Sequence, residues 1–214
     1  MVWYGDDEDS EEKENHPVKL FLEALEGSEL KRMGSTGDCF YEAIVTAFNM
    51  ENKDVRDYDD VVKEATDDKV KALRRTAAMF LTEEVFQKFQ MSHSAGLVDY
   101  KFMSEMDSIE KLQEKMILSG REVGIMNCLW ANEFEIRVVC QALHVCCLVW
   151  DCSARKEVDR LVKVGEEVEQ FIILKKVGEH YNLIYREEEG ERHGVFTKED
   201  LSEEALQFWG LGLR

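Results

Sequence analysis

The sequence has no apolar run approaching the ~20 residues that a membrane-spanning helix requires. Its opening residues, MVWYGDDEDS, have neither the basic start nor the apolar core of a secretory leader. These absences lead to the expectation of an intracellular protein, cytoplasmic or nuclear, with reduced thiols and no membrane partner. Proline is scarce, 1 in 214 residues, and no Gly/Ser/Pro-rich linker or internal repeat divides the chain. The six cysteines (39, 128, 140, 146, 147 and 152) contain no C-x-x-C pair. Cys140 and His144 are two ligands where a structural zinc takes four, so no metal and no cofactor is expected. Basic charge is also short: 27 Lys and Arg stand against 45 Asp and Glu, a formal net charge of −18. An acidic body repels phosphate, which argues against nucleic acid and anionic lipid as partners. It suits a basic protein partner or simply a soluble surface.

What is present is enough for one sizeable core: 214 residues, 44% hydrophobic. Residues 6–14, DDEDSEEKE, hold seven acids and one lysine, so −6 of the −18 lies there and −12 elsewhere. Such a run has no apolar area to bury, and residues 1–16 are expected to be a disordered acidic tail, with a single domain over 17–214. HPVKLFLEALEG reads as a helix entered at Pro17 and stopped at Gly27, with Val18, Phe21, Leu22 and Leu25 on one face. Residues 29–38 read as a loop, and from Cys39 the spacing of Phe40, Ala43, Ile44, Ala47 and Phe48 predicts a buried helix. In 67–90, Val70, Leu73, Ala77, Phe80 and Leu81 form a stripe that Thr82 restarts as a cap. A further helix runs from a Ser108 cap to a stop at Gly120, and NEFEIRVVCQALH is another. Then the pattern changes. HVCCLVWD, EQFIILKKV and HYNLIYR are short, β-branched and aromatic, and a last strand near 194–196 precedes a closing helix, KEDLSEEALQFW. Helices first and strands last predict an α+β fold.

Cys39 stands where a loop with glycines meets a helix. There the unpaired N–H groups of the first turn favour thiolate, the nucleophilic form, although a cysteine can equally be core filler. A catalytic thiol needs a base and a group to orient it. Of five histidines, His16 lies beside the acidic run, His93 in a loop, His144 between helix and strand, and His193 in a turn. His180 differs, opening an apolar strand just after Gly178. Asn182 shares its face of that strand, where its oxygen can accept the imidazole N–H, and Tyr181 points the other way. H-x-N alone is a weak signal.

TGDCFYEAI (36–44) resembles the nucleophile motif of the ovarian-tumour (OTU) family of cysteine peptidases, commonly D-G-x-C followed by two large apolar or aromatic residues. EHYNLIY (179–185) resembles that family's H-Y-N/D strand. LWANEFEIRVVCQALHVCCLVWD (129–151) is similar to its W-G-x-x-x-E-[LI] helix and following strand, with Glu135 as the acid. The resemblance covers most of 18–186. It implies a papain-like α+β fold, a small mixed sheet flanked by helical subdomains. It also implies hydrolysis of isopeptide bonds at the C-terminus of ubiquitin or a ubiquitin-like protein, whose arginine-rich tail an acidic cleft attracts. Cys39 is then the nucleophile, His180 the base and acid, and Asn182 the orienting group. Thr36, Gly37 and Asp38 form the oxyanion loop with the Cys39 N–H, Trp130 and Tyr181 frame the site, and the protein is expected to act as a monomer.

There is one departure. The family's aspartate three places before the cysteine is Thr36 here, and Asp38 adjoins the sulfur, where a carboxylate opposes thiolate formation if it faces it. An active deubiquitinase and a catalytically weak ubiquitin-binding module on the same fold are therefore both carried forward. Retention of Cys39, His180 and Asn182 together favours the enzyme. A third reading, an acidic scaffold, leaves the three motifs unexplained.

Overall fold

The structure, a computed structural model, describes residues 28–51, 67–152, 160–165 and 168–211. The acidic tail and the helix expected from His16 to Gly27 lie outside the described residues.

The fold is α+β, with the helices mostly first and the strands mostly last. After β1 (Ser28–Lys31) come α1 (Cys39–Glu51), α2 (Asp67–Met79), α3 (Glu83–Ser94), a 3-10 segment (Val98–Glu105), α4 (Ile109–Ile117), α5 (Gly120–Val123) and α6 (Glu133–Leu143). The second half supplies β2 (Cys146–Asp151), β3 (Arg160–Val164), β4 (Phe171–Val177), β5 (His180–Glu188), β6 (Glu191–His193) and β7 (Val195–Phe196). A 3-10 turn (Lys198–Asp200) and α7 (Glu203–Phe208) follow. The closing helix is thus split, because Ser202 caps α7 by accepting the Ala205 N–H.

The sheet runs β1-β5-β4-β2-β3, with β6 on β5 and β7 on β4. Among the described residues only the β2–β4 pair is parallel, which makes the sheet mixed. Strand alternation sorts its side chains into two cores. Cys147, Val149, Ile172, Leu174, Tyr181 and Leu183 face α1, α2 and α6. Cys146, Leu148, Ile173 and Ile184 pack with Leu201, Ala205 and Trp209 near the C-terminal end. The neighbouring cysteines 146 and 147 therefore serve different cores, as period-two alternation requires.

Several local expectations need correction. Residues 29–31 are strand rather than loop, because β5 offers β1 an antiparallel edge from Leu183 to Arg186. Gly120 does not stop the Ser108-capped helix. That helix ends at Ile117 and Gly120 opens α5, lying so close to the Thr36 carbonyl that a Cβ would overlap it. Phe80, placed on the buried stripe, is 46% exposed, and Arg74 takes a core position between Val70 and Ala77.

Candidate active site

The sequence leaves β5 and returns to it within a few residues, and the site is built on that return. Beyond Lys31, which pairs with Leu183, the Met33 N–H donates to Asn182 Oδ1 at 3.2 Å. The chain then turns through 34–38 into α1, whose first residue brings its sulfur back to the same strand edge. The Tyr181 N–H donates to Cys39 Sγ at 3.4 Å, and the thiol lies 4.0 Å from the Glu179 carbonyl oxygen. These two backbone groups flank His180, which follows the two-residue Gly178–Glu179 loop of the β4–β5 hairpin. Cys39 Sγ thus occupies the edge position that β1 would fill if it continued.

The loop before Cys39 is fixed peptide by peptide. Gly37 adopts φ +89, and a Cβ there would run into the Cys128 sulfur, so both conformation and space demand glycine. The Thr36 carbonyl faces the Cys128 thiol at 3.8 Å, the Gly37 carbonyl accepts from Arg74 at 3.0 Å, and the Asp38 carbonyl accepts the Glu42 N–H at 2.9 Å. Because a trans peptide points its N–H opposite its C=O, each bond also aims the next residue's N–H. The Asp38 N–H meets Thr36 Oγ1 at 3.3 Å. Among the described residues the Gly37 N–H makes no hydrogen bond, and the Cys39 N–H acts on its own sulfur.

Side chains complete the frame. Asp38 is fully buried. Its carboxylate accepts from Arg74 Nε at 2.7 Å, Ser119 Oγ at 2.9 Å and the Arg121 N–H at 3.1 Å. Burial and Glu42, rather than Asp38, are what raise the Cys39 thiol. Glu42 accepts from the Gly34 N–H and Thr36 Oγ1, each at 3.2 Å, and from Arg121 Nε at 2.9 Å. Thr36 therefore works through its hydroxyl as well as its backbone.

The electrostatics reverse one expectation. Burial pushes the Cys39 thiol above its ordinary pKa, and the N–H groups of Tyr181, Phe40 and Cys39 only partly oppose it, while Glu42 adds to the rise. The field of the helix N-terminus is present but loses to desolvation at a residue 2% exposed.

The expected triad is brought together only in part. His180, half-buried, stands beside the sulfur through its backbone neighbours. Among the described residues its ring makes no hydrogen bond with Cys39 or with Asn182, whose oxygen serves Met33 instead. Alternation puts His180 and Asn182 on one face of β5 and Tyr181, stacked edge-on against Phe40 with centroids 5.8 Å apart, on the other.

A cleft of about 540 Å³ opens beside this arrangement. Trp130 and Tyr181 both line it, as do Glu133, Asp151 and Glu179, while Cys39 and His180 do not. Trp130 Nε1 donates to the Ile125 carbonyl at 3.3 Å and lies over Gly37.

The solved structures that the chain resembles are OTU domains. An ovarian tumour (OTU) domain in complex with ubiquitin matches with a TM-score of 0.46 at 16% identity, over 83% of this chain and 78% of that one. A viral OTU domain protease from Taggert virus gives 0.44 at 14%, over 78% and 83%. An OTU deubiquitinase from Wolbachia pipientis wMel gives 0.41 at 12%, over 85% and 96%. No protein-family model and no curated protein matches the sequence.

Sequence reasoning missed the residues that hold the loop: Arg74, Ser119, Arg121, Glu42 and Cys128. For Arg74 a signal existed. It stands four residues after Val70 and three before Ala77, on the apolar face of its own helix. Glu135, buried in α6, feels the Arg74 charge. It closes a capping box with Asn132 at the start of α6, and burial raises its carboxyl from the ordinary 4.5 to about 7.

Proposed function

We propose that the chain is a cysteine peptidase of the OTU type that hydrolyses isopeptide bonds at the C-terminus of ubiquitin or a ubiquitin-like protein. The observation that carries this is the place of the Cys39 sulfur, at the start of α1 and against the two backbone groups that flank His180. In that reading the His180 ring takes the thiol proton as substrate enters, and Cys39 Sγ attacks the carbonyl carbon. The oxyanion is received by the N–H groups of Gly37 and Cys39, and His180 returns the proton to the departing lysine amine. Water then cleaves the thioester. Hydrogen bonds of this kind are commonly long in the substrate-free state and tighten in the complex. Three carboxylates against two lysines (Lys101 and Lys176) on the cleft suit a basic substrate tail.

A second reading is ubiquitin binding with weak turnover on the same fold. The raised Cys39 thiol and the absence of a ring–sulfur hydrogen bond favour it. The deciding experiment is hydrolysis of a panel of di-ubiquitins by the full chain beside Cys39→Ala. Cleavage lost in the variant supports the peptidase. Binding without cleavage supports the second reading, and neither binding nor cleavage overturns both.

A further inference from the structure

Arg74 is a guanidinium 1% exposed in the middle of a helix. Burying a cation is costly unless charge and hydrogen bonds compensate it. Its single carboxylate partner among the described residues, Asp38, is met through Nε at 2.7 Å. The other donors go to three backbone carbonyls on three separate segments. Nη1 donates to Met116 at 3.1 Å, and Nη2 to Gly37 at 3.0 Å and Leu129 at 3.1 Å. The group also lies 4.5 Å from the centre of the buried Tyr41 ring. A point-like ammonium offers no such planar fork.

What those partners have in common is the loop before Cys39 and the segment that leads to Trp130. The bond to the Gly37 carbonyl fixes the 37–38 peptide, whose N–H meets Thr36 Oγ1, and the bond to the Asp38 carboxylate fixes the residue that joins that peptide to Cys39. This is the stretch of backbone between the Gly37 and Cys39 N–H groups, so their separation and relative direction depend on it. Ser119 and the Arg121 N–H hold the second Asp38 oxygen, so the restraint is applied from both sides.

We propose that Arg74 is the positioning residue of the oxyanion loop, acting through the Gly37 carbonyl and the Asp38 carboxylate to keep the Gly37 and Cys39 N–H groups aimed at the reacting carbonyl. It touches no reacting atom. The proposal rests on the peptidase reading above, and its consequence is specific: loss of Arg74 lowers kcat per active site and leaves KM nearly unchanged.

The test is the full chain carrying Arg74→Lys, which keeps the charge and loses the fork, assayed on ubiquitin with a C-terminal fluorogenic amide. Active sites are counted with a ubiquitin C-terminal electrophile, and folding is followed by circular dichroism. Lys88→Ala, at an exposed pair with Glu84, is the control with unchanged activity. The expected result is a kcat per counted site lower by about 10- to 100-fold with KM within about threefold. Should Arg74→Lys not fold, Ser119→Ala decides, because it removes one of the bonds to Asp38; its kcat is expected to fall by about threefold or more. A folded variant with unchanged kcat per site, or with a loss carried by KM, overturns the inference alone. A wild type that turns over nothing overturns the peptidase reading and the inference with it.

Discussion

The two halves of the candidate site are held by different means. The cysteine half is fastened by buried polar bonds: Arg74 and Ser119 on Asp38, Arg121 and Thr36 on Glu42, and Cys128 beneath Thr36. The histidine half has a backbone ladder, Val177 opposite His180 and Lys176 opposite Tyr181, and no hydrogen bond from the ring to Cys39 or Asn182 among the described residues. In the proposed peptidase, loop geometry that receives developing charge is built in advance, where reorganisation would be costly. The His180 ring, as its proton carrier, would settle only when substrate arrives, and burial meanwhile pushes the Cys39 thiol up.

The largest effects break the chemistry on either side. Cys39→Ala should abolish hydrolysis of a ubiquitin C-terminal amide, and His180→Ala should lower kcat by about 10²- to 10⁴-fold. Far-ultraviolet spectra of both variants should match wild type, since neither side chain joins the loop network. Next comes the fastening itself. Asp38→Asn leaves the Arg74 cation buried without its countercharge and should cost about 3–5 kcal/mol in urea unfolding. A cost below about 1 kcal/mol would mean that the network is incidental.

Glu135 sharpens the contrast through pH. The folded chain holds its proton up to about pH 7, whereas the unfolded chain releases it near 4.5. The folded state therefore binds more protons across that window. This contribution favours folding below it, is lost as pH rises through it, and is gone above pH 7. Glu135→Gln keeps an acceptor for the Asn132 N–H and should flatten the dependence, with a gain of about 3 kcal/mol at pH 8. An unaltered slope between pH 4.5 and 7 would contradict this assignment.

The smallest effect concerns Thr36. Its hydroxyl is 3.2 Å from a Glu42 oxygen, so Thr36→Asp sets two carboxylates together. This substitution, which brings in the aspartate of the resembled motif, should thus destabilise the loop by about 1–2 kcal/mol and lower kcat, and adding Glu42→Gln should recover most of the loss. A gain in kcat from Thr36→Asp alone would show that the loop was impaired to begin with.

Features set by neighbouring residues were legible in the sequence. Thr82 and Ser108 cap their helices by accepting the Val85 and Lys111 N–H groups, three positions on. The alternation of β5 separated Tyr181 from His180 and Asn182. Features set by distant partners were not legible. SELK and RLVKV carry little strand pattern and become β1 and β3 because β5 and β2 present open edges. Asn182 reads as a partner for the ring two positions away, yet its oxygen serves Met33, 149 positions distant. A helix N-terminus at Cys39 is legible in the sequence, but the burial that outweighs its field belongs to the packed molecule. Arg74, a charge on an apolar stripe, reads as an interruption until its partners are in view.

The most direct measurement is a competition for thiols in the native full chain, followed by mass spectrometry of the cysteine peptides. Five of the six cysteines, Cys39 among them, are buried and only Cys152 is partly exposed. Iodoacetamide at neutral pH should therefore label Cys152 ahead of Cys39, and ubiquitin with a C-terminal electrophile should label Cys39 alone. His180→Ala should suppress the second reaction and leave the first unchanged. Rapid alkylation of Cys39 by iodoacetamide, or a ubiquitin probe that reacts elsewhere or not at all, would contradict a nucleophile that is positioned in advance and activated only by its substrate.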